Sequence, residues 1–209
     1  MLSASKALNR LQEGNHRFVS NIRGQSILTD QTRRSELVTG QAPFAVILGC
    51  SDSRVPVEII FDQGLGDLFV IRVAGNIVTP SIAGSVEFAA IKFGTQLVVV
   101  LGHSRCGAVQ STLEELQHPT EALSPNLRSI VDHIRPSVEA LVESNFQGDS
   151  DDLVRSVVRA NIRASANHLR NESQALKQLI QTNGLHVVGA EYSLETGVVD
   201  FFDGLPETD

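Results

Sequence analysis

The chain has 209 residues, 42% of them apolar and 20% charged, with a formal net charge of -7 at pH 7. That composition is enough for one sizeable core, and it excludes a disordered chain. A surface of negative sign disfavours nucleic acid, and no apolar run nears the ~20 residues that span a bilayer.

Residues 4–21 carry Leu8, Leu11 and Phe18 at helical spacing among polar residues, which predicts an amphipathic helix. The same stretch has no continuous apolar core and no small-residue cleavage site, so no signal peptide is expected and the default location is cytoplasmic. Residues 22–40 read as an extended polar connection. Three short apolar runs follow, Phe44–Cys50, Leu68–Val73 and Gln96–Leu101. Strands buried on both faces of a parallel sheet read this way. Between the second and third runs, Ser81–Phe93 has helical periodicity and stops at Gly94. Cys106–Leu116 resumes a helical pattern, and 117–126 is a loop with two prolines. Two more helices are expected over 127–146 and 151–182. Asp151 and Asp152 suit the first turn of the second, and Gly184 suits its end. Leu185–Tyr192, a turn, and Val198–Phe202 read as a strand hairpin. Short apolar strands alternating with helices predict an α/β fold with a mainly parallel sheet flanked by helices. One domain over residues 1–209 fits: an N-terminal helical arm (1–40), a site-bearing region (41–116), then helices and a C-terminal hairpin (117–209).

Only two cysteines occur, Cys50 and Cys106, too few for a disulfide scaffold. Each stands just past an apolar strand. The first strand runs into Gly49-Cys50-Ser51-Asp52-Ser53-Arg54, the third into Gly102-His103-Ser104-Arg105-Cys106-Gly107. Ligands of open parallel sheets bind beyond the carboxyl ends of strands. If these strands are neighbours, Cys50, His103 and Cys106 meet there. Two sulfurs and an imidazole suit zinc, and three protein ligands leave the open position of a catalytic site. Each residue alone is more often a buried thiol or a satisfied polar group; the combination is what points to a metal. Two competing motifs fail. Gly102–Gly107 has phosphate-loop spacing, but Ala108 and Val109 replace the Lys and Ser/Thr. A cysteine-phosphatase loop needs an Arg six residues after its Cys, where position 112 is Thr and Arg54 follows Cys50 by only four.

The segments CSDSRVP at 50–56 and GHSRCGAV at 102–109 resemble the two zinc-site signatures of the β-class carbonic anhydrases. DQGLGDLFVIRVAGN at 62–76 is also similar to that family, and the resemblance runs from about Leu8 to Phe202. It implies a sheet in the strand order 2-1-3-4-5 and a homodimer or homotetramer whose N-terminal helices embrace the partner. It implies Zn2+ held by Cys50, His103 and Cys106, and reversible hydration of CO2 to bicarbonate by zinc-bound hydroxide. Arg54 then holds Asp52 off the metal, so that Asp52 orients the attacking oxygen. Gln41, Phe69, Val73, Phe88 and Gly107 match positions that line the substrate pocket. Phe88 departs from the Tyr of plant-like members. Arg72 and Tyr192 resemble two members of a regulatory bicarbonate site found in one subgroup, but Ile47 stands where that site needs Trp. Related folds hydrolyse COS or CS2 at the same kind of site, which is the alternative activity. A structural or sensory zinc with a fourth protein ligand is the alternative from another class.

Overall fold

The computed structural model describes residues 2–22, 31–119, 123–143 and 150–207. Five strands form one sheet: β1 (Ala45–Gly49), β2 (Leu68–Arg72), β3 (Leu97–His103), β4 (His186–Tyr192) and β5 (Val199–Asp203). Their order is β2-β1-β3-β4-β5, with β5 antiparallel to β4 and all other pairs parallel. The expected architecture is therefore the observed one. Every residue of β1 and β3 is buried, because helices cover both faces. Alternate residues of one strand face opposite layers. Val46, Leu48, Val98 and Val100 enter one core, while Ala45, Ile47, Val99 and Leu101 enter the other. Each such Val, Leu or Ile side chain, fully buried, contributes about 1.5–3 kcal/mol.

The first core is closed by α4 (Pro80–Phe93), α5 (Gly107–Gln117), α6 (Pro125–Glu143), α7 (Ser150–Asn171) and α8 (Gln174–Thr182). The second is closed by α1 (Ala4–Val19) and α3 (Val57–Ile60); α2 (Gln31–Leu37) lies between them in sequence. The α1 helix starts at Ser3, whose hydroxyl accepts from the Lys6 N–H. It buries Ala7, Leu8 and Leu11 in the same cluster as Ile60 and Phe61 of its own chain. Asn15 fastens it further, donating to the Ile60 and Gly197 carbonyls and accepting from the Val199 N–H. Proline at the first position of α4 and left-handed Gly94 (φ 64°) at its end set that helix as expected.

Three expectations need correction. The connection over 22–40 is not wholly extended: α2 occupies 31–37, while 23–30 lie outside the described residues. No residue of α2 is buried, so it has no apolar stripe to be read. The helix expected over 127–146 begins at Pro125, inside the stretch read as loop; residues 120–122 and 144–146 lie outside the described ones. The helix expected over 151–182 is two helices. Ser173 caps α8 by accepting from the Leu176 N–H, which ends the preceding run at Asn171.

Candidate metal centre

The chain leaves β1 toward β2 on one side and reaches β3 on the other. The crevice between the carboxyl ends of β1 and β3 is thus the place where the strand order reverses, the preferred ligand site of an open sheet. Gly49 pairs with Leu101, so Cys50 and His103 emerge side by side just beyond that register. Cys106 follows as the N-cap residue of α5. The ligand-capable atoms of Cys50, His103 and Cys106 all lie within 4.8 Å of one another, and all three residues are buried.

His103 has no exposed surface. Its Nδ1 lies 2.9 Å from the Ser104 carbonyl oxygen. A carbonyl only accepts, so Nδ1 carries a proton, and in the neutral ring Nε2 presents a bare lone pair. Among the described residues, Nε2 has no hydrogen-bond partner, and an orphaned buried nitrogen needs an explanation. A metal supplies one. The thiols agree with it. Cys50 is pushed down, first by its hydrogen bond with Cys106 and then by His103 and by the backbone at Asp52 and Gly75. Cys106 is pushed up, first by that same bond to Cys50 and then by burial. One thiol thus ionises readily while its neighbour keeps the proton. A divalent cation is what lets two thiolates share this space. The start of α5 favours the negative charge on Cys106, as the nearby Ala108 and Val109 N–H groups show.

Asp52 is held by Arg54 through three donors. The backbone N–H and Nε of Arg54 donate to Oδ1 at 2.9 Å each, and Nη2 donates to Oδ2 at 2.7 Å. The Arg54 side chain therefore keeps the carboxyl well below the usual carboxylate range. Oδ2 lies 3.9 Å from His103 Nε2, so the carboxylate borders the cluster without entering it. Arg54 also reaches the Arg105 carbonyl, which ties this pair to the turn between His103 and Cys106.

The remaining candidates divide. Val73 follows β2 directly and exchanges backbone bonds with Gly49 and Ser51 beside Cys50. Gly107 opens α5, and a Cβ there would meet nothing within 4 Å. It borders an apolar cavity of ≈ 670 Å³ with Ala74, Ala108, Leu127, Ile130 and Val131 among its walls. Phe69 instead pairs with Val46, four residues before Cys50, roughly 13 Å back along the strand at about 3.3 Å per residue. It packs on Phe88 and Phe93 at centroid distances of 6.2 and 6.0 Å, and Phe88 is 52% exposed. Gln41 is exposed, before the start of β1. Within one chain, then, Gln41, Phe69 and Phe88 stand apart from the Cys–His–Cys cluster. Arg72, expected at a regulatory anion site, donates to the backbone carbonyls of Cys50 and Asp52. Ile47 of β1 is in the core, and Tyr192 is buried two strands away, at the end of β4.

Two supporting side chains carried no signal at the level of motifs. Asn161 of α7 donates to the Gly75 carbonyl, and the Gly75 N–H points to Cys50 Sγ. Glu195, in the β4–β5 turn, accepts from Ser104 Oγ and Arg105 Nε at 2.7 Å each, bracing the segment between His103 and Cys106. A lone Asn inside the apolar stripe of α7 was the one readable hint.

Comparison with known proteins agrees with this geometry. The carbonic anhydrase family pattern matches residues 45–199. Carbonic anhydrase 2 of Mycobacterium tuberculosis is 38% identical over 193 residues, covering 91% of this chain and 89% of that protein. Among solved structures, the β-carbonic anhydrase CcaA superposes with a TM-score of 0.76 at 26% identity, covering 96% of this chain and 92% of that one. One of two tetrameric β-carbonic anhydrases from Sordaria macrospora gives 0.72 at 26% identity, covering 81% and 85%. Strand order, the cysteine–histidine cluster and sequence likeness over most of its length therefore converge: the chain belongs to the carbonic anhydrase family, in its β class.

Proposed function

We propose that this chain catalyses the reversible hydration of CO2 to bicarbonate and a proton, with one Zn2+ held by Cys50, His103 and Cys106. The observation that carries the proposal is the bare, buried Nε2 of His103 between two thiols at the mouth of the sheet crevice. Zinc suits that donor set. When bound, such an ion supplies a water acidified from about 15.7 toward about 7, available for attack on an electrophilic carbon near neutrality.

The other tasks fall to the chain itself. Three protein donors leave a tetrahedral ion one free corner, which favours catalysis over a structural role. Arg54 prevents Asp52 from filling that corner by holding both carboxylate oxygens. Oδ2 accepts one bond from Arg54 and retains capacity for another. Facing the cluster, it would accept from the attacking water and orient it toward the substrate. Gly107, on the wall of the apolar cavity, and Val73, beside Cys50, would receive a small, linear, nonpolar molecule. Gln41, Phe69 and Phe88 would complete a pocket only across a contact between two chains. The exposed Phe88, packed against Phe69 and edge-on to Phe93, would offer the apolar face for a second copy. We therefore take the working form to be a homodimer or homotetramer. No helix among the described residues is long and apolar enough to cross a membrane, and two free thiols suit a reducing compartment such as the cytoplasm.

The test is zinc stoichiometry together with stopped-flow CO2 hydration on the native chain and on Asp52→Ala. Native protein should hold one zinc per chain and turn over CO2. The variant should keep its zinc and lose activity by about 10²-fold or more. A zinc-loaded native chain that turns over COS but not CO2, or neither, defeats the proposal.

A further inference from the structure

The inward stripe of α7 is apolar at Val157, Val158, Ile162, Ala166 and Leu169, and is interrupted by Asn161, which is only 2% exposed. Burying an amide in such a layer is unfavourable unless it is paired. Asn161 Nδ2 is paired, donating to the Gly75 carbonyl at 2.8 Å. Gly75 is left-handed (φ 71°, ψ 16°), and a Cβ there would meet Ile134 Cδ1 at 2.7 Å, so glycine alone fits. With φ and ψ of Gly75 set, anchoring its carbonyl also sets the direction of its N–H. That N–H points at Cys50 Sγ, 3.4 Å away. Hydrogen bonds to ligand atoms orient them and tune how tightly they hold a metal.

We propose that Asn161 is a positioning residue for the metal centre: through Gly75 it keeps an N–H on the Cys50 sulfur. This rests on Cys50 being a metal ligand. The bond from Asn161 goes to the Gly75 carbonyl and that to the sulfur comes from the Gly75 N–H, so its effect on the metal is relayed. It also ties α7, far along the sequence, to the turn that follows β2.

The test uses the full chain loaded with NMR-active cadmium. An N–H···S–Cd bond transmits scalar coupling from the metal to the amide proton. Native protein should show that coupling at Gly75. Asn161→Leu removes the amide while keeping the same branched skeleton. Val157→Ala loosens the same helix without touching Gly75, and serves as the control for a merely structural role. Coupling should persist in Val157→Ala and be lost in Asn161→Leu. Cadmium release to a chelator should be at least about 10-fold faster in Asn161→Leu than in Val157→Ala. Equal coupling and equal release in the two variants overturn the proposal, as does a native protein without coupling at Gly75. If Asn161→Leu does not fold, Asn161→Ala is read the same way. A native chain that takes up no cadmium sinks the metal reading underneath, which is a separate and recognisable result.

Discussion

Alanine at position 102 tests how closely α7 and the site-bearing strand must fit. Gly102 is the penultimate residue of β3 and directly precedes His103. An added Cβ would lie 2.6 Å from both Cγ1 and Cδ1 of Ile162, and 3.4 Å from Asn76 Oδ1. Carbon atoms pack best at about 3.5–4.0 Å, so strand and helix must part by roughly 1 Å. Ile162 is fully buried and has nowhere open to go. Overpacking of this kind costs about 1–3 kcal/mol. For a chain of this size each kcal/mol lowers Tm by about 2–4 °C. Ile162→Ala removes both clashing carbons, but alone it leaves a cavity that costs about 2–5 kcal/mol. In the double variant the new methyl enters that space. Its cost should therefore fall short of the sum of the single costs by at least about 1 kcal/mol. Urea unfolding of the four proteins at one fixed metal concentration measures this cycle. Zinc affinity should follow it, because His103 moves with Gly102. Additivity within about 0.5 kcal/mol would refute the reasoning.

Two further expectations concern protons. Arg54 holds Asp52 ionised, so its folded value lies below the ordinary one of about 3.9. The stabilisation from this pair is then present above the ordinary value and lost only as pH falls through the depressed one. Carbon NMR of the Asp52 carboxyl should show no titration near about 3.9, and Arg54→Ala should move it back up; titration at the ordinary value in the native chain contradicts the geometry. Two thiolates offset the charge of a divalent ion, so CO2 hydration should be faster on the alkaline side of neutrality. A rate profile flat from roughly one unit below to two units above neutrality contradicts that reasoning.

The sheet was legible because parallel strands buried on both faces leave uninterrupted apolar runs, and Val98–Leu101 could hardly be anything else. The Cys–His–Cys cluster was legible because its members sit in two short segments, each at a strand end. What escaped has physical reasons. The α2 helix buries nothing, so it wrote no period into the sequence. The break between α7 and α8 hides within a stripe that continues from Ile162 to Leu176, both fully buried; only the cap at Ser173 marks it. Asn161 and Glu195 act on the centre through backbone and turn contacts that close only in three dimensions. Gln41, Phe69 and Phe88 are pocket residues by family resemblance, and a single chain leaves them away from the cluster.

X-ray absorption at the zinc edge of the purified chain is the most direct test of the centre. The expected spectrum is one zinc per chain with two sulfurs at about 2.3 Å, one nitrogen at about 2.0–2.1 Å and one further light atom. A chain without zinc, or one whose metal is bound while Cys50 and Cys106 still react freely with an alkylating agent, would contradict it.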